Sequence, residues 1–192
     1  TTPACTSYNL NTDGTKLMNI ILSDMAIAAD GTASFTFQNL NKTASEENYI
    51  FQETFDKCLG TGGNDGKGFY TSGNANLFAS GPFSPDKNGW TSNVQTYKGG
   101  SQCARVGKRD ATNITFTSPE IKINGDVILT FKAAPYAQSN KTMTVSVSNG
   151  TVENGTFNLM PNQWTECTTK ITANGRVKIT FASDAFFIDE VY

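Results

Sequence analysis

The chain has 192 residues, enough for one large domain, or one domain with an extension, and for a core that is stable without disulfides. Its net charge is -2 and its lysines and arginines are scattered, which argues against a nucleic-acid-binding surface. It contains no histidine, so the commonest general base and the commonest transition-metal ligand are both missing.

Three further properties bear on where the protein works. No apolar run reaches about 18 residues, so the sequence predicts no membrane span. A composition rich in Thr, Asn, Ser and Gly with few charges is typical of exported β-proteins, so we expect a secreted or cell-surface protein. The chain starts at Thr1 without a signal segment, so we expect a mature form or a piece cut from a longer chain. We also expect it to be a monomer or one part of a longer multidomain chain.

Residues 1–47 predict a β-rich extension. Residues 17–22 are mostly apolar, Asp30-Gly31 is a turn signal, and residues 34–37 alternate, so we expect one or two hairpins. The spacing over residues 18–27 also fits a short helix, but the threonine-rich context favours strands. Because so short a segment is too small for a sandwich, we expect it to pack on the larger C-terminal domain or to be the remnant of an upstream domain.

Residues 48–192 predict a larger β domain. Residues 49–56 are predicted to form its first strand, and the glycine-rich stretch 59–93 to form long loops anchored by aromatic side chains. From residue 101 onward, strand signals recur about every ten residues without a convincing helix. Asn124-Gly125 predicts a two-residue hairpin, and Asn149-Gly150 another turn. This pattern predicts an antiparallel sandwich or barrel.

Two acidic residues interrupt apolar strand faces. Asp189 shares a face of the final strand with two apolar residues, and Glu53 lies between two phenylalanines on one face of residues 51–56. A carboxylate in such surroundings requires a cation, a metal or several donors to replace its lost hydration. We infer that the two strands meet and that their acids share a cation. Hydration by water, or an ion pair with a basic side chain, is the alternative; the basic candidates are Arg105, Arg176 and Lys132.

The four cysteines form no CxxC pair, so neither a zinc knuckle nor a thioredoxin-like motif is predicted. They are either small buried hydrophobic residues or members of one or two disulfides, and both interpretations stay open. If a bridge forms, the preferred pair is Cys58 with Cys103.

Three short segments resemble one known family. They are Phe51-Gln52-Glu53-Thr54-Phe55-Asp56, Ile128-Leu129-Thr130-Phe131-Lys132-Ala133-Ala134 and Phe187-Ile188-Asp189-Glu190-Val191. They are similar to segments of the galactose-binding-like jelly rolls, a group that includes many carbohydrate-binding modules and related domains on surface proteins of gut Bacteroidetes. The resemblance covers about residues 48–192. It implies an all-β, antiparallel β-sandwich (jelly roll) for these residues. The resemblance leaves residues 1–47 unexplained, and their own strand signals predict the N-terminal β extension.

The resemblance also implies a structural calcium ion where the first and last strands are neighbours. By position, its implied ligands are Glu53 and Asp189, with Asp56 and Asp65 as weaker candidates. Calcium suits this set because it takes about six to eight oxygen ligands in flexible geometry and needs neither histidine nor thiolate.

The function predicted is a non-catalytic binding module, and its expected ligand is a carbohydrate. Trp90, Tyr97 and Tyr136 are the candidates for flat stacking faces. Trp164 is a fourth, although its place at the start of a regular strand favours the core. The alternative is a structural or adhesin-type sandwich that contacts another domain or a cell-surface protein.

Catalysis is the third hypothesis, because Glu53 with Asp189 or Glu190 resembles the carboxylate pair of a glycosidase. A metal site would use the same acids. No serine has a histidine partner, and no zinc motif or phosphate-binding loop is present. We therefore expect no enzymatic activity.

Overall fold

The structure, a computed structural model, describes residues 20–39, 49–70, 81–95 and 97–192. The chain divides into two compact units, Thr1–Asn48 and Tyr49–Tyr192. The described ranges contain thirteen strands: β1 (Ile20–Ile27), β2 (Ala33–Asn39), β3 (Thr91–Ser92), β4 (Tyr97–Gly99), β5 (Ala104–Val106), β6 (Ile114–Thr117), β7 (Ile121–Pro135), β8 (Lys141–Val147), β9 (Thr151–Glu153), β10 (Thr156–Leu159), β11 (Thr165–Val177), β12 (Ile179–Ser183) and β13 (Phe186–Asp189). None of the described residues belongs to a helix long and apolar enough to cross a membrane.

The first unit contains an antiparallel hairpin of β1 and β2. At its turn, Gly31 has a φ of 85°, and Asp30 Oδ1 accepts the backbone N–H of Thr32 at 2.9 Å. An aspartate that bonds the backbone two residues on, followed by a glycine in the left-handed region, favours a tight turn. The hairpin predicted at Asp30-Gly31 is confirmed, and residues 17–19 of its predicted first strand lie outside the described residues.

The second unit is an antiparallel β-sandwich of the jelly-roll type, as predicted. One sheet has the order β10-β8-β12-β6-β3 and the other the order β4-β5-β13-β7-β11-β9. Apolar side chains on the inner faces of both sheets form one core. Across it, the rings of Phe131 on β7 and Phe181 on β12 meet edge-on, with centroids 5.0 Å apart. Alternation along the strands therefore places one side chain of every two in this core.

The terminal strand β13 is buried on both faces. Phe186 and Ile188 belong to the main core. Phe187 points the other way, into a smaller cluster that we call the outer cluster: Phe69, Cys103, Ala134, Tyr136, Ala185 and Phe187. Phe69 comes from the glycine-rich loop, and its ring meets that of Phe187 edge-on at 5.4 Å. The loop thus covers part of the six-stranded sheet and buries the strand that carries Asp189.

Glycines allow three backbone segments to meet beside this loop. A Cβ on Gly81 would lie 1.0 Å from the carbonyl oxygen of Leu59, and one on Gly60 would lie 2.1 Å from that of Gly99. Gly81 and Gly99 also exchange backbone hydrogen bonds of 3.3 and 3.1 Å. Backbones at this separation leave no volume for a side chain. The glycine-rich stretch, predicted as long loops, is therefore closely packed here.

Two Asn-Gly dipeptides lie inside strands rather than at turns. β7 runs through Asn124-Gly125 and β11 through Asn174-Gly175, and Asn124 is opposite Asn174 in the register. Gly125 and Gly175 have φ values of 99° and 118°, so both strands bend at the same level. The predicted hairpin at Asn124-Gly125 is wrong, because the left-handed glycine that favours a hairpin also allows a bend within a paired strand.

The first and last segments of the unit meet, but through one bridge only. Residues 49–56 form no continuous strand; instead Glu53 and Val191 exchange two backbone hydrogen bonds of 2.9 Å. On the other side, Tyr192 exchanges backbone bonds with Thr130 of β7. The predicted contact between the first and last segments is confirmed. The strand predicted over residues 49–56 is instead one bridge residue, Glu53, paired with Val191.

Three cysteines, Cys58, Cys103 and Cys167, are buried and free. The preferred bridge between Cys58 and Cys103 is therefore wrong, and the interpretation as small buried residues holds for these three. Burial raises the pKa of the Cys58 thiol to about 11 and that of Cys167 to about 12, so both stay protonated and unreactive near neutral pH. Cys5 lies outside the described residues.

Replacing Gly81 by Ala is expected to lower the free energy of unfolding by about 4 kcal/mol or more, because the new Cβ overlaps the Leu59 carbonyl and the backbone has to move. Urea unfolding followed by tryptophan fluorescence measures the change. The control is Gly66→Ala, where nothing lies within 4 Å of the added Cβ. It is expected to cost only the strain of a left-handed alanine, about 1–2 kcal/mol. Equal losses in both variants would contradict the close packing.

Candidate functional site

The Glu53 side chain has no exposed surface, and both of its carboxylate oxygens are occupied. Oε1 accepts the backbone N–H groups of Phe55 and Asp86, at 3.0 and 2.8 Å. Oε2 accepts the backbone N–H of Lys87 at 2.9 Å and the indole N–H of Trp90 at 3.0 Å. Four donors thus replace the water that the carboxylate loses on burial, so the structure accounts for this acid without a cation.

These bonds join parts of the chain that are distant in sequence. Through Glu53, the segment before the glycine-rich loop is tied to the turn at Asp86 and to the core at Trp90. Asp86 binds back to the same segment: its carboxylate accepts the Thr54 hydroxyl at 2.8 Å and lies 2.9 Å from Lys57 Nζ. The hydrogen bonds from Lys57 and Thr54 lower the pKa of Asp86 to about 2. The Asp86 carboxylate is therefore ionised at neutral pH.

Asp189 is also buried, but its carboxylate is only half satisfied. Oδ2 accepts the side-chain N–H of Asn64 at 2.9 Å, whereas Oδ1 is buried without a hydrogen-bond partner among the described residues. Desolvation raises the pKa of Asp189 to about 7. The hydrogen bonds from Asn64 and from the Glu190 backbone oppose this rise, whereas the charges of Glu190 and Asp56 add to it. The Asp189 carboxyl therefore requires a proton or a cation to compensate for its burial, whereas the Glu53 carboxylate is compensated by its N–H donors.

Asn64 connects Asp189 to the outer cluster. Its side-chain amide also donates to the backbone oxygen of Gln102 at 2.9 Å, and its Oδ1 accepts the indole N–H of Trp164 at 2.9 Å. The Trp164 ring lies edge-on to Phe69 at 4.7 Å. Trp164, for which the sequence favoured the core, is half-buried and packs on the outer cluster just before β11.

The predicted calcium ligands differ in how well they fit a cation. The Glu53 oxygens do not fit, because N–H donors occupy both of them. The free Oδ1 of Asp189 does fit, because calcium binds carboxylate oxygen. Asp56 is exposed, and its charge raises the pKa of Asp189, so the two carboxylates are close enough to repel each other.

The Asp65 carboxylate is engaged by hydrogen bonds within its own loop. Its carboxylate oxygens accept the backbone N–H groups of Gly62 at 3.0 Å and Lys67 at 2.9 Å, which is the pattern of an Asx turn. In the part of the chain that the structure describes, no three acidic, cysteine or histidine side chains converge as a metal-binding group. The calcium ion stays a prediction, and Asp189 is the residue on which it depends.

The aromatic residues proposed as stacking faces lie in packed surroundings. Trp90 is 4% exposed and stacks on Phe116 with centroids 4.6 Å apart. Tyr136 is 7% exposed and belongs to the outer cluster. Tyr97 is half-buried, with its ring edge-on to Phe83 at 5.1 Å. Trp90 and Tyr136 are core residues rather than exposed platforms, so a ligand has to be sought on another surface.

The two sheets present different outer faces to solvent. On the six-stranded sheet, Lys170 pairs with Asp126 and Glu153 at 3.4 and 3.5 Å, and Lys132 pairs with Glu190 at 2.7 Å. On the five-stranded sheet, the outward positions of β6, β8, β10 and β12 are uncharged: Thr115, Thr117, Thr142, Thr144, Ser146, Thr156, Asn158, Thr180 and Ala182. The outer face of the six-stranded sheet therefore carries several ion pairs, and most side chains on the outer face of the five-stranded sheet carry hydroxyl groups.

A groove with a volume of about 620 Å³ opens on the uncharged face. It lies where β6 and β8 begin and β12 ends. Its polar lining consists of Asn113, Thr115, Asn140, Lys141, Thr142, Thr144, Ser183 and Asp184. The two charged members, Lys141 and Asp184, neutralise each other at 2.7 Å. The volume falls within the range of about 300–1,000 Å³ that is usual for ligand sites, and the lining offers donors and acceptors without net charge.

Sequence reasoning did not identify this groove. The threonines that line it alternate with apolar residues, and this pattern fits any sheet that is polar on one side. A signal was nevertheless present: the polar positions of residues 142–146, 156–158 and 180–182 contain no lysine or glutamate. The outward positions of β7 and β11, in contrast, include Lys122, Asp126, Lys132, Glu166, Lys170 and Arg176. This difference between the two sheets could have identified the uncharged face.

No protein-family model matches the sequence, and no curated protein matches it. Several solved structures match part of the chain. A family 6 carbohydrate-binding module is 16% identical with a TM-score of 0.40, over 53% of this chain and 83% of that one. A xylan-binding domain from Paenibacillus barcinonensis is 11% identical with a TM-score of 0.45, over 74% and 90%. A family 35 module from Clostridium thermocellum is 16% identical with a TM-score of 0.37, over 53% and 85%.

Replacing Glu53 by Gln is expected to lower the free energy of unfolding by about 3–5 kcal/mol, because the new amide group would face two buried N–H donors and leave them unsatisfied. Urea unfolding measures this change. The control is Glu190→Gln, which breaks the half-buried pair with Lys132 and also removes a charge that repels Asp189; it is expected to cost less than about 1 kcal/mol. If the two variants lost the same stability, the four donors would not be holding Glu53 as described.

Proposed function

We propose that this chain is a non-catalytic carbohydrate-binding module of an exported or cell-surface protein. Its ligand site is the groove on the five-stranded sheet. The observation that carries the proposal is the uncharged, hydroxyl-lined outer face on which this groove opens. The resemblance of residues 48–192 to domains on surface proteins of gut Bacteroidetes is consistent with this setting.

The groove offers the chemistry that a neutral sugar requires. A sugar presents many hydroxyl groups, each of which is both donor and acceptor, and the hydroxyls of Thr142 and Thr144 have the same double capacity. The amide of Asn140 adds donors and an acceptor at the rim. The Lys141–Asp184 pair sets a charged donor beside a charged acceptor, an arrangement that suits two adjacent sugar hydroxyls. Binding therefore rests on hydrogen bonds and requires no charge on the ligand.

The groove is also preorganised. Three paired strands supply its lining, and the register joins Ala182 to Thr144 on one side and to Thr115 on the other. The Ser183 hydroxyl donates to the Thr142 carbonyl at 2.9 Å, which ties β12 to β8 at the mouth of the groove. Polar groups held on strands lose little conformational entropy when a ligand binds.

The placement of the acids supports binding without hydrolysis. A glycosidase requires two carboxyl groups on either side of the scissile bond, about 5–10 Å apart. The groove lining contributes one carboxylate, Asp184, and that group is paired with Lys141. Glu53, the acid that the sequence offered for catalysis, has both oxygens occupied by N–H donors in the core.

The proposal includes a structural calcium ion at Asp189. The unsatisfied Oδ1 supports it, since a divalent cation would supply the countercharge that this oxygen lacks. Asp56 is the second predicted ligand, because it is electrostatically close to Asp189. Glu53 is not part of this set. The ion would stabilise the contact between the glycine-rich loop and β13 and would take no part in binding the sugar.

A second candidate function, a structural or adhesin-type domain that contacts another protein, is favoured by the first unit. Among the described residues, β1 and β2 pair only with each other. A two-stranded sheet is marginally stable alone, and its outer edges present backbone N–H and C=O groups to which a partner strand can add. This candidate concerns the hairpin and leaves the groove unexplained.

Isothermal titration calorimetry with soluble xylan, glucan, mannan and galactan tests the binding proposal. We expect the chain to bind at least one of them, and Thr144→Ala to weaken that binding about fivefold, since one lost hydrogen bond is worth about 1 kcal/mol. The control is Thr168→Ala, an exposed threonine on β11 of the other sheet, which is expected to leave the affinity unchanged. No binding to any of the four, or binding to polygalacturonate alone, would overturn the proposal.

Thermal unfolding tests the calcium ion. Burial raises the pKa of Asp189 from 3.8 to about 7, so the folded state binds more protons than the unfolded state between these values. In the presence of a chelator, stability is therefore expected to fall as the pH rises from about 4 to about 7 and to stay low at pH 8, with a drop in melting temperature of roughly 5 °C between pH 4 and pH 8.

Added calcium is expected to reverse this drop at pH 8, and Asp189→Asn is expected to show neither the drop nor the rescue. A wild-type melting temperature that does not respond to chelator or calcium at pH 8 would remove the calcium ion from the proposal. The sugar-binding proposal does not depend on that result.

A further inference from the structure

We propose that Ala182 determines the depth of the groove and thereby which ligands it accepts. This inference rests on the proposed function, because it concerns the same site. Among the outward positions of β6, β8, β10 and β12, Ala182 has the shortest side chain, and it lines the groove on β12, the strand between β8 and β6.

The strand register places Ala182 in a row of threonines. Ala182 is opposite Thr144 on β8 and Thr115 on β6, and Thr144 is in turn opposite Thr156 on β10. Neighbouring strands are about 4.8 Å apart, so these four side chains stand side by side. Three of them carry both a hydroxyl and a methyl group on Cβ, and Ala182 carries neither. The row therefore has a gap one side chain wide at its centre.

The neighbouring row shows what a threonine does at the equivalent position. Thr180 lies on the same strand two residues earlier, and its register partner on β6 is Thr117. The two hydroxyl oxygens are 3.0 Å apart, so the two threonines hydrogen-bond to each other. That bond closes the space between β12 and β6 and engages hydroxyl groups that would otherwise face a ligand. At Ala182 no such bond forms, so the Thr115 hydroxyl is not engaged from β12 and the gap stays open.

The gap determines what can enter. A sugar hydroxyl or ring edge that contacts the floor at Ala182 lies between the hydroxyl groups of Thr144 and Thr115. The Lys141–Asp184 pair lies at the mouth of the same groove and leaves it without net charge. The ligand class is therefore a neutral glycan that presents hydroxyl groups to the floor, bound without an aromatic platform. Filling the gap would remove the floor contact while leaving the sheet intact, because β-branched residues suit strands.

The test compares two variants of the whole chain with the wild type. Ala182→Thr completes the row and is expected to weaken, by about tenfold or more, the binding of whichever of xylan, glucan, mannan and galactan the wild type binds most tightly. Thr180→Ala opens a second gap outside the groove lining and is expected to retain the wild-type affinity. Melting temperatures establish that both variants fold. Ala182→Val, which adds similar volume without a hydroxyl, replaces Ala182→Thr if the latter does not fold, and it carries the same expectation.

The outcomes separate the two proposals. If the wild type binds none of the four polysaccharides, both the proposed function and the role of Ala182 are overturned. If the wild type binds one of them and a folded Ala182 variant binds it within twofold, the role of Ala182 alone is overturned. If Thr180→Ala weakens binding as much as the Ala182 variant does, the ligand contacts the whole face and not this gap, which also overturns the inference.

Discussion

The buried Glu53 carboxylate and its four N–H donors are the interaction on which the second unit depends most. A buried carboxylate is costly unless every oxygen is satisfied, and here the donors come from the backbone at residues 55, 86 and 87 and from Trp90. The network can form only when these segments are in place together. Because Glu53 also bridges to Val191, the same requirement couples the start of the sandwich to its end.

The sandwich leaves the chemistry of its outer faces free to vary. Folding requires that the outward positions be polar, and charged or hydroxyl side chains meet this requirement equally. One sheet nevertheless carries ion pairs and the other carries threonines, serines and an asparagine around Ala182. This difference is not needed for the core. The proposed sugar-binding function accounts for it.

Sequence reasoning recognised the buried acids and the meeting of the first and last segments of the second unit, but it assigned Glu53 the wrong partner. Side-chain patterns indicate that a carboxylate lies among apolar groups, whereas backbone donors leave no trace in the residue types of the loop that supplies them. The hairpin prediction at Asn124-Gly125 was wrong for a similar reason, since the sequence does not show which strand segments pair. The dipeptide signals a glycine with positive φ, and only the pairing of Asn124 with Asn174 decides between a hairpin and a bend. The groove was missed because its residues come from three strands.

By itself, the sequence determined the all-β class, the hairpin at Asp30-Gly31, the alternation that separates core from surface, and the absence of histidine chemistry. These properties are local or compositional. The alternation of apolar and polar residues along each strand and the residues at the turns show them directly in the sequence. The tertiary structure alone decided which donors satisfy Glu53, that one oxygen of Asp189 has no partner among the described residues, and that Ala182 lies between Thr144 and Thr115. Each of these depends on strand order and register, which bring together residues that no local pattern connects.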